Sequence, residues 1–143
     1  MNQRMLMFVP LVLCATACRG EEVARVKLDE PGESGDTTWK GGPVKVWADF
    51  KGEWTGSKND PGLKYSVEVK EGSKSVASVE CSTSTCTSSV CGSTTTVNNK
   101  VSGNCECLMT CKLDVPEGKE YTLSAKVSGG GGTFENASLV LRK

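Results

Sequence analysis

The residue type with most chemistry in this chain is cysteine, and its usual catalytic partner is missing: eight cysteines occur in 143 residues, with no histidine. Without imidazole, the Ser-His-Asp and Cys-His nucleophile arrangements and the His-rich zinc sites are excluded. Six cysteines, Cys81, Cys86, Cys91, Cys105, Cys107 and Cys111, fall inside one window of 31 residues. A zinc ribbon or a redox dithiol would show Cys-x-x-Cys pairs, and the sequence has none. The six therefore read as three structural disulfides, with no metal and no cofactor implied. Cys105 and Cys107 are two apart on one strand face, so a bond between them would be badly strained. Among the fifteen connectivities that six cysteines allow, antiparallel nesting is favoured: Cys81 with Cys111, Cys86 with Cys107, Cys91 with Cys105.

Disulfides need an export route, and the first residues supply one. Arg4 precedes a 13-residue apolar run, Met5 to Ala17, broken only by Pro10 and Thr16. That is the length of a signal-peptide core and is shorter than the roughly 20 residues of a membrane span. Ala15-Thr16-Ala17-Cys18 follows, with small residues at the three positions before a cysteine. This resembles the lipobox of bacterial lipoproteins, although Leu is commonest where Ala15 stands. The resemblance implies diacylglyceryl transfer to the Cys18 thiol, cleavage before Cys18 and acylation of the new amino group. Cysteine arithmetic agrees: discarding Cys14 with the leader and lipidating Cys18 leaves an even six. The expected division is a signal peptide over 1–17, a lipidated tether over 18–42 and a β-sandwich domain over 43–143.

The tether reading rests on composition. Arg19 to Gly42 holds six acids and much Gly, Ser, Thr and Pro, with few apolar residues. As a flexible chain it would set the domain roughly 25 to 30 Å from the membrane. Within it, Val23 to Leu28 is a possible extra edge strand, through alternating Val26 and Leu28.

From Pro43 the apolar residues recur every second position, the period of half-buried strands. Val44, Val46, Ala48 and Phe50 form one such row, and Leu63, Tyr65, Val67 and Val69 another. Further rows are Ala77, Val79, Cys81; Cys107, Met109, Cys111, Leu113, Val115; Tyr121, Leu123, Ala125, Val127; and Ala137, Leu139, Leu141. Turn chemistry separates them at Asn59-Asp60-Pro61-Gly62, Glu71-Gly72-Ser73, Pro116-Glu117-Gly118-Lys119 and Gly129 to Gly132. With one or two more strands near Thr94 to Val101, the expectation is an all-β, immunoglobulin-like two-sheet sandwich of about seven strands with a disulfide-stapled loop. Eleven of the fifteen residues after Cys81 are Ser or Thr, so this stretch is read as a solvated loop ordered by its bridges. Leu113 to Arg142 resembles the corner before the sixth strand of fibronectin type III and other immunoglobulin-like domains, which implies that the Tyr121 hydroxyl bonds back across the corner.

Trp47 shares a strand face with Lys45 and Asp49, and Trp54 lies nearby. Packing is the favoured reading of Trp47. Stacking on a sugar ring is the alternative, with Trp47 and Trp54 as the candidate ligand contacts. Seventeen basic and seventeen acidic residues give a formal net charge of zero, which provides no field for nucleic acid. The composition is similar to that of myxobacterial-type envelope lipoproteins, which implies an outer-membrane location and a role in cell contact, motility or envelope assembly. The function expected is thus a noncatalytic, lipid-anchored envelope protein displaying a sandwich for binding or assembly, with a membrane contact through its lipid and an envelope protein or glycan as partner. A carbohydrate-binding surface module is the alternative. An enzyme working by carboxylates alone is disfavoured, because a domain of this size has little room for a deep cleft.

Overall fold

A computed structural model describes residues 19–57 and 60–143. Cys18 and the proposed signal segment lie outside the described residues. Among the described residues, nine strands form two antiparallel sheets: β1 Glu22–Val26, β2 Ser34–Trp39, β3 Val44–Thr55, β4 Leu63–Glu71, β5 Lys74–Ser82, β6 Ser88–Val97, β7 Lys100–Leu113, β8 Tyr121–Gly129 and β9 Gly132–Arg142. The five-stranded sheet runs β1-β9-β3-β7-β6, and the four-stranded sheet runs β2-β8-β4-β5. The chain is an all-β sandwich, as the period-two rows predict. Among the described residues no helix is long and apolar enough to cross a membrane.

Alternation decides which side chains meet between the sheets. Val46, Ala48, Phe50 and Trp54 of β3 face Leu63, Tyr65, Val67 and Val69 of β4 and Leu123, Ala125 and Val127 of β8 in one core. Each Val, Leu or Phe among them contributes about 1.5 to 3 kcal/mol by leaving water. Gly52 interrupts the row where β3 and β9 shift register between Lys51 and Gly52. A Cβ there would collide with the Thr133 carbonyl, so a bare backbone is needed for the two strands to approach.

Strands β3 to β8 occupy the immunoglobulin positions B, C, C′, D, E and F in order. The outer positions are exchanged: β9 lies beside β3 where strand A belongs, and β2 lies beside β8 where strand G belongs. Tyr121 opens β8, and its hydroxyl donates to the Pro116 carbonyl at 2.8 Å. The corner implied by the resemblance at Leu113 to Arg142 is therefore present.

Two expectations are corrected. Residues 18–42 are not a free tether over their length, because β1 and β2 lie within it. β1 pairs with β9 from Glu22 opposite Arg142 to Val26 opposite Leu139, and Val26 and Leu28 are buried. β2 pairs with β8 through six residues, Ser34 opposite Lys126 to Trp39 opposite Tyr121. The acids in this segment face outward, while Ala24, Val26, Leu28 and Trp39 reach the core. Few apolar residues suffice for an edge strand, since the neighbouring strand supplies the hydrogen bonds. The sandwich accordingly begins near residue 22.

The second correction concerns the Ser/Thr-rich stretch. Only its first part is a turn, with a 3-10 turn at Thr83–Thr85; the strand expected near Thr94 begins earlier, as β6, paired with β7 from Ser88 opposite Leu108 to Val97 opposite Lys100. Asn98 and Asn99 have φ of 50° and 63°, the left-handed pair that a two-residue hairpin turn requires.

Candidate functional site

All three bridges of the nested scheme are present. Cys81 pairs with Cys111, Cys86 with Cys107 and Cys91 with Cys105, with Cα separations of 5.3, 5.6 and 4.0 Å. Strand β7 carries one partner of each, because Cys105, Cys107 and Cys111 alternate on its inward side with Met109 and Leu113. Their mates come from the end of β5, the segment after the 3-10 turn, and β6. The outermost bridge closes a loop of about 31 residues and in the chain-entropy model stabilises by about 3 to 4 kcal/mol. Thr83 closes the same region: its hydroxyl donates to Asp60 Oδ1 at 2.8 Å and accepts from the Leu63 amide at 3.0 Å. Among the described residues, no group of three or more His, Cys, Asp or Glu side chains is placed to hold a metal.

The tryptophans do not form a platform. Trp54 is 0 % exposed, its indole N–H donates to the Ser57 carbonyl at 2.8 Å, and its ring stacks on Phe134 at 6.2 Å and meets Phe50 edge-on at 5.3 Å. It is a core residue brought inward by the alternation of β3. Trp47 is on the outer side of the five-stranded sheet yet only 4 % exposed. It lies between Leu108 of β7 and Val140 of β9 in register, so packing takes the ring. Neither ring face is open to a sugar, and the candidate ligand contacts at Trp47 and Trp54 are withdrawn.

What the sequence did not reveal is a charged cluster on that outer face. Glu106 of β7 accepts from Arg142 Nη2 at 2.9 Å and from Arg19 Nη1 at 2.8 Å, and both Glu106 and Arg142 are buried. Arg142 Nη1 also donates to the Gly20 carbonyl at 3.1 Å, and the Lys143 amide donates to the Glu21 carbonyl at 2.8 Å. The residues that follow Cys18 are thus tied to the end of β9. Further along the face, Arg25 donates to Glu22 at 2.8 Å and to Asp49 at 2.7 Å. Burial opposes the Arg25 charge, but these two carboxylates outweigh it and raise its pKa above the ordinary value. Between the sheets, burial, with the charge of Asp49 added, pushes the Tyr65 hydroxyl well above its ordinary value. Tyr65 stays a neutral donor, bonded to the Ala137 carbonyl at 3.0 Å.

Two concavities flank this end of the sandwich. One, of about 470 Å³, brings Glu21, Glu22, Glu117 and Glu120 together with Lys40 and Lys143. The other, of about 410 Å³, is an apolar groove along β3 and β7 between Val44, Leu108, Met109 and Leu113. Comparison of the chain with protein-family models, curated proteins and solved structures finds no match.

Proposed function

We propose that this chain is a noncatalytic, lipid-anchored protein of the cell envelope, acylated at Cys18 and located at the outer membrane, that displays its sandwich for binding or assembly. The observation that carries the reading is the set of three disulfides, since such bridges persist in exported proteins and are rare in the reducing cytosol. The apolar leader and the Ala15-Thr16-Ala17-Cys18 motif supply the route and the acceptor thiol. Because Arg19 and Gly20 are held by Glu106 and Arg142, an acyl group on Cys18 keeps the domain close against the bilayer. No long spacer intervenes. The surfaces offered to a partner are then the acidic-basic cleft at the anchored end and the edges and outer faces of the sheets. The carbohydrate reading loses its support with the burial of Trp47 and Trp54.

Fractionation of cells tests the proposal. The wild-type protein is expected in the membrane fraction, released by detergent and not by salt. Cys18→Ala is expected to abolish lipid labelling of the chain. Wild-type protein found wholly in the soluble fraction would overturn the anchor, because several acyl chains on one cysteine exceed the marginal hold of a single chain.

A further inference from the structure

Four strands form the sheet edges: β1 and β6 in one sheet, β2 and β5 in the other. Three carry charge within the strand, at Glu22 and Arg25, at Asp36, and at Lys74 and Glu80. Charged side chains on an edge discourage pairing with another chain. β6 differs. Its ten residues, SSVCGSTTTV, contain no charge and no proline, and the whole stretch from Cys81 to Asn99 is uncharged. It pairs with β7 on one side, and among the described residues no strand pairs with its other side. Val97 and Val90, at 61 % and 43 % exposed, are the two most exposed large apolar side chains among the described residues. Both lie on this strand.

We infer that β6 is a self-association edge, and that its occupant is β6 of a second copy of this chain, antiparallel across a two-fold axis. The two five-stranded sheets then join into one continuous sheet. A two-fold contact sets a surface against itself, so an edge bearing one sign of charge would meet like charge. The β6 edge meets none. Its Thr94, Thr95 and Thr96 are β-branched and give favourable cross-strand Thr-Thr pairs. A different partner would ordinarily be selected by complementary charge, and β6 offers no charge for that selection. The strand is also already ordered, by the Cys91 to Cys105 bridge at its middle and the Asn98-Asn99 turn at its end, so little freedom is lost on pairing. The inference stands whether or not Cys18 carries lipid.

The test uses the full mature chain in detergent. Native mass spectrometry counts the copies released from each micelle, and hydrogen exchange follows the β6 amides as protein concentration rises. Wild type is expected to give a two-copy species, with slowing of exchange on the outward side of β6. Thr95→Lys with Val97→Lys, both at exposed positions, is expected to raise the dissociation constant at least about tenfold, a change of roughly 1.4 kcal/mol. Val76→Lys, on the β5 edge, is the control and should leave the two-copy species intact. A single copy at every concentration with unprotected β6 amides would overturn the inference. So would a two-copy species indifferent to the lysines, which would assign association to the acyl chains or another surface. If the lysine variant melts early, the wild-type exchange pattern alone decides between these outcomes.

Discussion

Replacing Glu106 by alanine should destabilise the fold far more than an ordinary surface change. The carboxylate holds Arg142 at 2.9 Å and Arg19 at 2.8 Å, and Arg142 is itself buried. Without Glu106, the Arg142 guanidinium keeps the Gly20 carbonyl as the acceptor for Nη1, while its Nε is already buried with no partner among the described residues. Breaking a buried pair by removing one partner costs about 3 to 5 kcal/mol, because an uncompensated charge remains. For a domain of this length, 1 kcal/mol shifts the melting temperature by about 3 to 5 °C, so Glu106→Ala should melt about 9 to 25 °C early with the disulfides intact. Near-ultraviolet circular dichroism under nonreducing conditions reads this directly. Glu106→Gln retains an acceptor and should fall between wild type and alanine. The double change Glu106→Leu with Arg142→Met removes both charges and should be less damaging than Glu106→Ala. Melting of Glu106→Ala within about 2 °C of wild type would refute the reasoning and return residues 19 and 20 to a free tether.

Tyr121→Phe removes the corner hydrogen bond and leaves the Pro116 carbonyl without it, which should cost about 1 to 2 kcal/mol in urea denaturation. The folded-state pKa of Tyr65 is raised above its unfolded value of 10.0, so this group's contribution is fully present below that pH and is lost as pH rises beyond it. The melting temperature should therefore fall above about pH 10, and absorbance titration should show one tyrosine ionising only on unfolding. Trp47→Ala should cost about 3 to 5 kcal/mol, as for a buried tryptophan. A near-neutral effect by thermal melt would show that the ring is not packed.

The two-sheet architecture is legible in the sequence because β3, β4, β7, β8 and β9 each bury one face against the other sheet, and the period of two survives in their residues. The bridges are legible for a related reason: Cys105, Cys107 and Cys111 share the parity of Met109 and Leu113, and antiparallel nesting follows from a chain that turns near Asn98. β2 is not legible. Its inward positions are Gly35, Thr37 and Trp39, of which only the last carries a strong apolar signal, and its existence depends on the β8 backbone. Packing is the favoured sequence reading of Trp47, but its parity with Lys45 and Asp49 keeps a ligand contact open as the alternative. Burial on an outer face depends on Leu108 and Val140, which are distant in the chain. In the charged cluster Arg19 and Glu106 are 87 positions apart and Glu106 and Arg142 are 36 apart, and nothing local in the sequence marks it. The exchange of the A and G positions is likewise a matter of pairing between chain ends.

The central claim is that an exported, disulfide-bonded sandwich is anchored through Cys18. Intact-mass measurement of the protein extracted from cells under nonreducing conditions tests it most directly. The mass predicted is that of the chain from Cys18 to Lys143, less two hydrogens for each of the three bridges, plus a diacylglyceryl group on the thiol and an acyl group on the new amine. A mass equal to the same chain without lipid, or to a chain that retains Met1 and the leader, would contradict it.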